Sequence, residues 1–183
     1  MLEHADDDWN EEEIMTRPRT TASRMIPRKL IQQGIDLSKS NVTDFLCDSK
    51  LIIAEGRLNH AYVLVEFAIE EVGKIVMLKE ALGLSTNDPV EVIEKVFTSH
   101  KEKANKAWTF LDPKYRTIYD EGVFDEGIFD PDIFQTNTTA SHETRLQAAF
   151  VDFNGTQWLL GRDIKKNLLE DLVTHIEDSV KKI

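Results

Sequence analysis

The chain has 183 residues and a formal net charge of −11, about one domain and long enough to bury a substantial core. That charge excludes a broad electrostatic footprint for nucleic acid and leaves only a local basic patch for such a role. A composition of 41% hydrophobic and 30% charged residues, with no apolar run of bilayer length, excludes a membrane-spanning helix, and the one cysteine, Cys47, excludes an internal disulfide.

The first residues are acidic rather than basic and then apolar, so no secretory leader is expected there and the expected location is cytoplasmic. Residues 1–25 combine the acidic blocks Asp6-Asp7-Asp8 and Glu11-Glu12-Glu13 with Arg17-Pro18-Arg19-Thr20-Thr21 and show no period. They read as a flexible acidic arm, followed by a single helical domain over 26–183.

From about Pro27 to Glu55, Ile31, Ile35, Ser38, Val42, Phe45, Cys47, Ile52 and Ile53 keep a one-sided stripe, and Gly56 is placed to end the helix. Gly34 or the segment 38–41 is a place for a kink, and Cys47 reads as buried filler. The Gly56-Arg57 connection is so short that the next helix must run back antiparallel. That helix, Leu58 to Leu82, is apolar nearly all round, so it belongs in the middle of a bundle. Glu71 lies at the edge of its main apolar arc, where a carboxylate is costly without a partner. Glu70 and Lys74 are spaced as a helical ion pair. Gly73 costs roughly 1 kcal/mol relative to Ala, a loss that close approach of another helix can offset.

Asp88, Pro89 and Glu91 predict a helix start running to Leu111, with an apolar face of Ile93, Val96, Phe97, Ala104, Ala107, Trp108 and Leu111. His100 falls on that face and is expected to point inward, with Lys103 one turn on and Lys101 and Lys106 more exposed. Asp112-Pro113 ends the pattern. An irregular segment follows to about Thr139, with the tandem repeat Asp120-Glu121-Gly122-Val123-Phe124 and Asp125-Glu126-Gly127-Ile128-Phe129, read as a packed surface loop or a partner-binding one. Ser141 suits the N-cap of a helix to Phe150, bearing Arg145. Asn154-Gly155 then predicts a small hairpin joining Val151-Asp152-Phe153 to Thr156-Gln157-Trp158. A last helix runs from about Asp163 to Val180. The fold class is all-α, a bundle of four to five helices.

The residues able to do chemistry gather on the two central helices. His100, Glu71, Lys74 and Lys103 can form one polar constellation, and Arg145 can join from a later helix. The other reading of the same residues is a core histidine and a structural ion pair. Arg57 and His60 read as a solvated helix start. His100 and Glu71 lack a second ligand one turn away, so no metal is expected. The sequence has no phosphate-binding glycine loop and no nucleophile elbow, and no cofactor is expected.

The string Gly56-Arg57-Leu58-Asn59-His60-Ala61-Tyr62, followed by Ala68-Ile69-Glu70-Glu71-Val72-Gly73-Lys74, resembles the signature of the AbiV abortive-infection family. Ser99-His100-Lys101-Glu102-Lys103 and Arg145 ahead of Phe150-Val151-Asp152-Phe153, with Trp158 and Ile164 beyond, are similar to later blocks, so the resemblance spans about residues 28–165. Phe150 stands where a Tyr is usual, and Leu160-Gly161 where a Pro is common. The resemblance implies a HEPN-like helical bundle acting in defence against phage. Many HEPN-like proteins are metal-independent ribonucleases that act as dimers through an Arg-x(4–6)-His motif. No histidine here follows an arginine at that spacing. Two functions therefore stand. One is an RNA-cleaving effector using His100 as acid or base, Glu71 as its partner, and Lys74, Lys103 and Arg145 on phosphate. The other is a non-catalytic protein that binds a phage or host protein. A homodimer is expected in both, and no membrane partner.

Overall fold

The computed structural model describes residues 22–112, Tyr115, 151–153, 158–160 and 164–183, the two short segments at 151–153 and 158–160 as backbone. Helix α1 (Arg28–Ala54) runs unbroken through Gly34 and the 38–41 segment. Its buried stripe is Ile31, Ile35, Ser38, Val42, Leu46, Ser49 and Ile53, the three- and four-residue alternation of one helical face. Leu46 takes the inward position, and Cys47, expected as buried filler, is exposed one residue further round.

Gly56 ends α1 with φ +74°, the left-handed conformation that glycine adopts without a Cβ penalty. The Gly56 amide bonds to Ile53 O at 2.9 Å and the Arg57 amide to Ile52 O at 3.1 Å, a Schellman closure that satisfies the last carbonyls. Helix α2 (Leu58–Leu84) starts at once and folds back. Antiparallel pairing brings the start of α1 to the end of α2. There the Arg28 guanidinium donates to Ser85 O at 2.7 Å and Leu82 O at 3.1 Å.

The helix predicted from Pro89 onward does not begin there. Val90–Ile93 is a strand, β2, pairing antiparallel with β1 (Ser23–Ile26) in the register Ser23↔Ile93 to Ile26↔Val90. The reason lies in the side chains: Val90 and Val92 are buried while Glu91 and Ile93 face out, a period of two with β-branched residues that suits a pleat. Asp88 still caps a helix, but a different one, since its Oδ1 accepts the Arg28 amide of α1 at 3.0 Å. The expected arm of residues 1–25 likewise contributes Ser23, Arg24 and Met25 to β1.

Helical structure resumes as α3 (Lys95–Thr98) and α4 (His100–Ala107). Helix α5 (Lys166–Val180) packs Leu169, Leu172, Val173 and Ile176 into the core formed by α1 and α2. Strands β3 (Val151–Phe153) and β4 (Trp158–Leu160) pair antiparallel, so the expected hairpin exists with its second strand shifted toward Leu160. The Asp-Glu-Gly repeat and the helix expected from Ser141 to Phe150 lie outside the described residues. The fold is all-α, with two small two-stranded pairs among the described residues.

Candidate functional site

The site grows from one face of α2. Tyr62, Glu66 and Glu70 are four residues apart and all buried, at 0%, 2% and 6% exposure. Their spacing places them along one ridge of the helix. The Tyr62 hydroxyl donates to Glu66 Oε1 at 2.9 Å. Buried carboxylates need such partners because their desolvation is otherwise uncompensated.

Gly73 lies on the same side and sets what crosses there. A Cβ on Gly73 would sit 1.7 Å from Lys103 O, so the backbone of α4 occupies the space a side chain would fill. The close approach expected at Gly73 is present, and α4 is the helix that makes it. Ser99 caps α4, its hydroxyl accepting the Glu102 amide at 3.2 Å. His100 is the first residue of that helix and Lys103 stands one turn on, above α2.

Both reach the same carboxylate. His100 Nδ1 lies 2.5 Å from Glu70 Oε2, and Lys103 Nζ lies 3.4 Å from that oxygen. The carboxylate can only accept, so His100 donates from Nδ1. In the neutral ring Nε2 then carries no proton. Glu70 and Lys103 side chains are each 8% exposed, whereas His100 is 53% exposed. The expectation that His100 points inward is thus corrected: as the first residue of a short helix it keeps half its ring in solvent while Nδ1 is held from below.

Glu71, expected as the partner of His100, is not beside it. Glu71 pairs with Lys74 at 2.5 Å across a three-residue step, and among the described residues its Oε2 has no hydrogen-bond partner. Glu70 and Glu71 are separated by about 100° around the helix, so one crossing helix meets only one of them. Gly73 is about 60° from Glu70 and about 160° from Glu71 on the same wheel. The glycine was the signal that could have chosen Glu70 from sequence. The site therefore joins His100 and Lys103 to Glu70, and leaves Glu71 and Lys74 as a neighbouring pair. Arg145 lies outside the described residues. Arg57 and His60 are exposed, Arg57 with Glu55 at 3.8 Å.

A groove of about 690 Å³ runs beside α4, between β2 and the second half of α2, with Met77, Leu84, Val92 and Val96 in its wall. His100 and Lys103 are not in that wall. Among the described residues no cluster of three or more His, Cys, Asp and Glu is arranged to hold a metal ion, and no helix is long and apolar enough to cross a membrane.

A family model described as AbiV, of HEPN type, matches residues 30–180. The chain belongs to the AbiV family. The match takes in α1, α2, the crossing at Gly73 and the His100–Glu70–Lys103 cluster, together with the last helix. Membership in this HEPN-type family supports an abortive-infection, phage-defence function. No curated protein and no solved structure matches the chain.

Proposed function

We propose that this AbiV-family protein is a metal-independent ribonuclease effector of abortive infection, with His100 as its acid or base. The observation that carries the reading is a half-exposed imidazole whose Nδ1 is held by a buried carboxylate with a buried ammonium beside it. Glu70 positions the ring by holding Nδ1, and Nε2 is assigned to accept the 2′-hydroxyl proton of RNA or to give a proton to the leaving 5′-oxygen. Lys103 adds fixed positive charge at the cluster, and Lys74 and Arg145 are proposed on phosphate. Glu71 holds Lys74. The protein acts in the cytoplasm and self-associates in this reading.

The second reading is a protein that works by binding a phage or host protein. The burial of Lys103 and Glu70 where α4 crosses Gly73 favours it, because a buried ion pair at a helix crossing also fixes register without any chemistry.

Wild type and His100→Ala, first shown to melt alike, are expressed with and without phage while growth and total RNA are followed. Under the ribonuclease reading RNA fragments appear with wild type alone. Intact RNA in both, with growth arrest retained by His100→Ala, excludes catalysis and leaves the binding protein.

A further inference from the structure

The groove beside α4 runs along an open edge of β2. In the ribbon of β1 and β2 the Glu94 amide donates to Ala22 O at 2.7 Å, and the register sets Arg24 opposite Val92 and Ile26 opposite Val90. Bonded pairs alternate along an antiparallel ladder, so Glu91 and Ile93 turn their backbone N–H and C=O groups away from β1. Among the described residues no strand pairs with that edge. Glu91 and Ile93 both line the groove, whose floor includes Met77, Ala81, Val92 and Val96. Three apolar side chains of its wall stand in solvent, Met25 at 61%, Leu84 at 89% and Ile93 at 41% exposure. An open strand edge along an apolar floor is the geometry that takes an extended peptide as an added strand.

The charges of the lining select the peptide. Its carboxylates are Glu80, Glu91 and Glu102. Lys106 pairs with Glu80 at 2.7 Å, and Lys95 pairs with Glu102 at 2.7 Å. Glu91 accepts the Ser23 hydroxyl at 2.6 Å, and among the described residues no cation pairs with it. The groove therefore suits apolar side chains with a cation close behind them. We propose that it binds a segment of the same chain, Ile14-Met15-Thr16-Arg17-Pro18-Arg19. Ile14 and Met15 cover the floor, and Arg17 or Arg19 supplies the cation for Glu91. Charge excludes the Asp-Glu-Gly repeat as the occupant, because Phe124 and Phe129 each follow an Asp-Glu pair that Glu91 repels. The chain reaches: residues 1–21 join the described fold at Ala22, and Met15 lies seven residues before it, a span of up to about 24 Å. The helical wall of the groove from Met77 to Leu84 is about 10 Å long. The tether also holds the segment at about millimolar local concentration, so modest contacts suffice. Helix α4 turns Glu102, Asn105 and Lys106 to the groove, while His100 and Lys103 meet Glu70. The docked segment thus braces the helix of the site from another face, and the proposal stands independently of RNA cleavage.

Amide hydrogen exchange of the full chain, followed by NMR, tests the docking. The Glu91 and Ile93 amides face the groove edge, whereas the Val92 amide faces β1 and reports that the ribbon is folded. In wild type the two edge amides are expected to exchange about tenfold more slowly than in Arg17→Glu combined with Arg19→Glu, with Val92 equally protected in both. Fast exchange of both edge amides in wild type overturns the proposal. So does protection that survives the double substitution, which assigns the edge to another occupant. A cysteine pair then identifies the segment. In a Cys47→Ser background, Met15→Cys with Leu84→Cys is expected to close a disulfide within one chain, since Leu84 stands in the groove wall and a disulfide needs Cα atoms within about 7 Å. A covalent dimer on non-reducing gels places the segment of a second copy in the groove, and free thiols in both positions place the segment elsewhere; either result overturns the proposal.

Discussion

Gly73→Ala puts the crossing of α2 and α4 to the test, because two principles predict opposite signs. Replacing glycine by alanine inside a helix stabilises by roughly 1 kcal/mol when the new methyl is free. At Gly73 it is not free: the Cβ would lie 1.7 Å from Lys103 O, 2.5 Å from its carbonyl carbon and 3.0 Å from its Cα. To restore an ordinary contact, α4 has to retreat by about 1.5 Å. The obstacle is backbone, so no rotamer change relieves it, and overpacking of this kind costs about 1–3 kcal/mol or more. Retreat of α4 also draws Lys103 from Glu70 and weakens a buried pair. The sum predicts a net loss of about 2 kcal/mol, or a fall in Tm of about 4–8 °C for a domain of this size. Circular dichroism melts of Gly73→Ala and Gly34→Ala make the comparison. At Gly34 the added Cβ meets only Leu78 Cδ1 at 3.7 Å, so that variant is expected to gain about 0.5–1 kcal/mol. Equal or higher stability of Gly73→Ala refutes the close crossing and, with it, the choice of Glu70 over Glu71.

Two further outcomes follow from the same geometry. Lys103→Met leaves Glu70 buried with its nearby ammonium removed and is expected to lower stability by about 3 kcal/mol in urea unfolding; a loss within 0.5 kcal/mol, on the scale of ordinary surface substitutions, would contradict the buried pair. At the surface, the Arg24 guanidinium, which hydrogen-bonds Glu94, holds the Glu94 carboxyl below its ordinary value of 4.5. A lowered folded value means that the pair stabilises above pH 4.5 and that this contribution fades as pH falls through the lowered value. NMR titration of Glu94 in Arg24→Gln should show its midpoint return upward, and an unmoved midpoint would assign the shift to another cause.

Much of this protein was legible in its sequence because the signals were local. The stripe of α1, the Gly56 turn and the all-round apolar character of α2 fixed two antiparallel helices with α2 central, since hydrophobic period and a left-handed glycine act over a few residues. The last helix was readable for the same reason. The AbiV motif blocks identified the family. Tertiary structure decided the rest. Asp88-Pro89 is a sound helix start in isolation, but pairing with Ser23–Ile26 and burial of Val90 and Val92 made the segment a strand, since propensity is weaker than packing. The azimuth of α4 on α2 chose between two adjacent glutamates. Gly73 marks the face of α2 in the sequence, but which helix fills the space above it is a contact between residues thirty apart in the chain, which no local pattern carries.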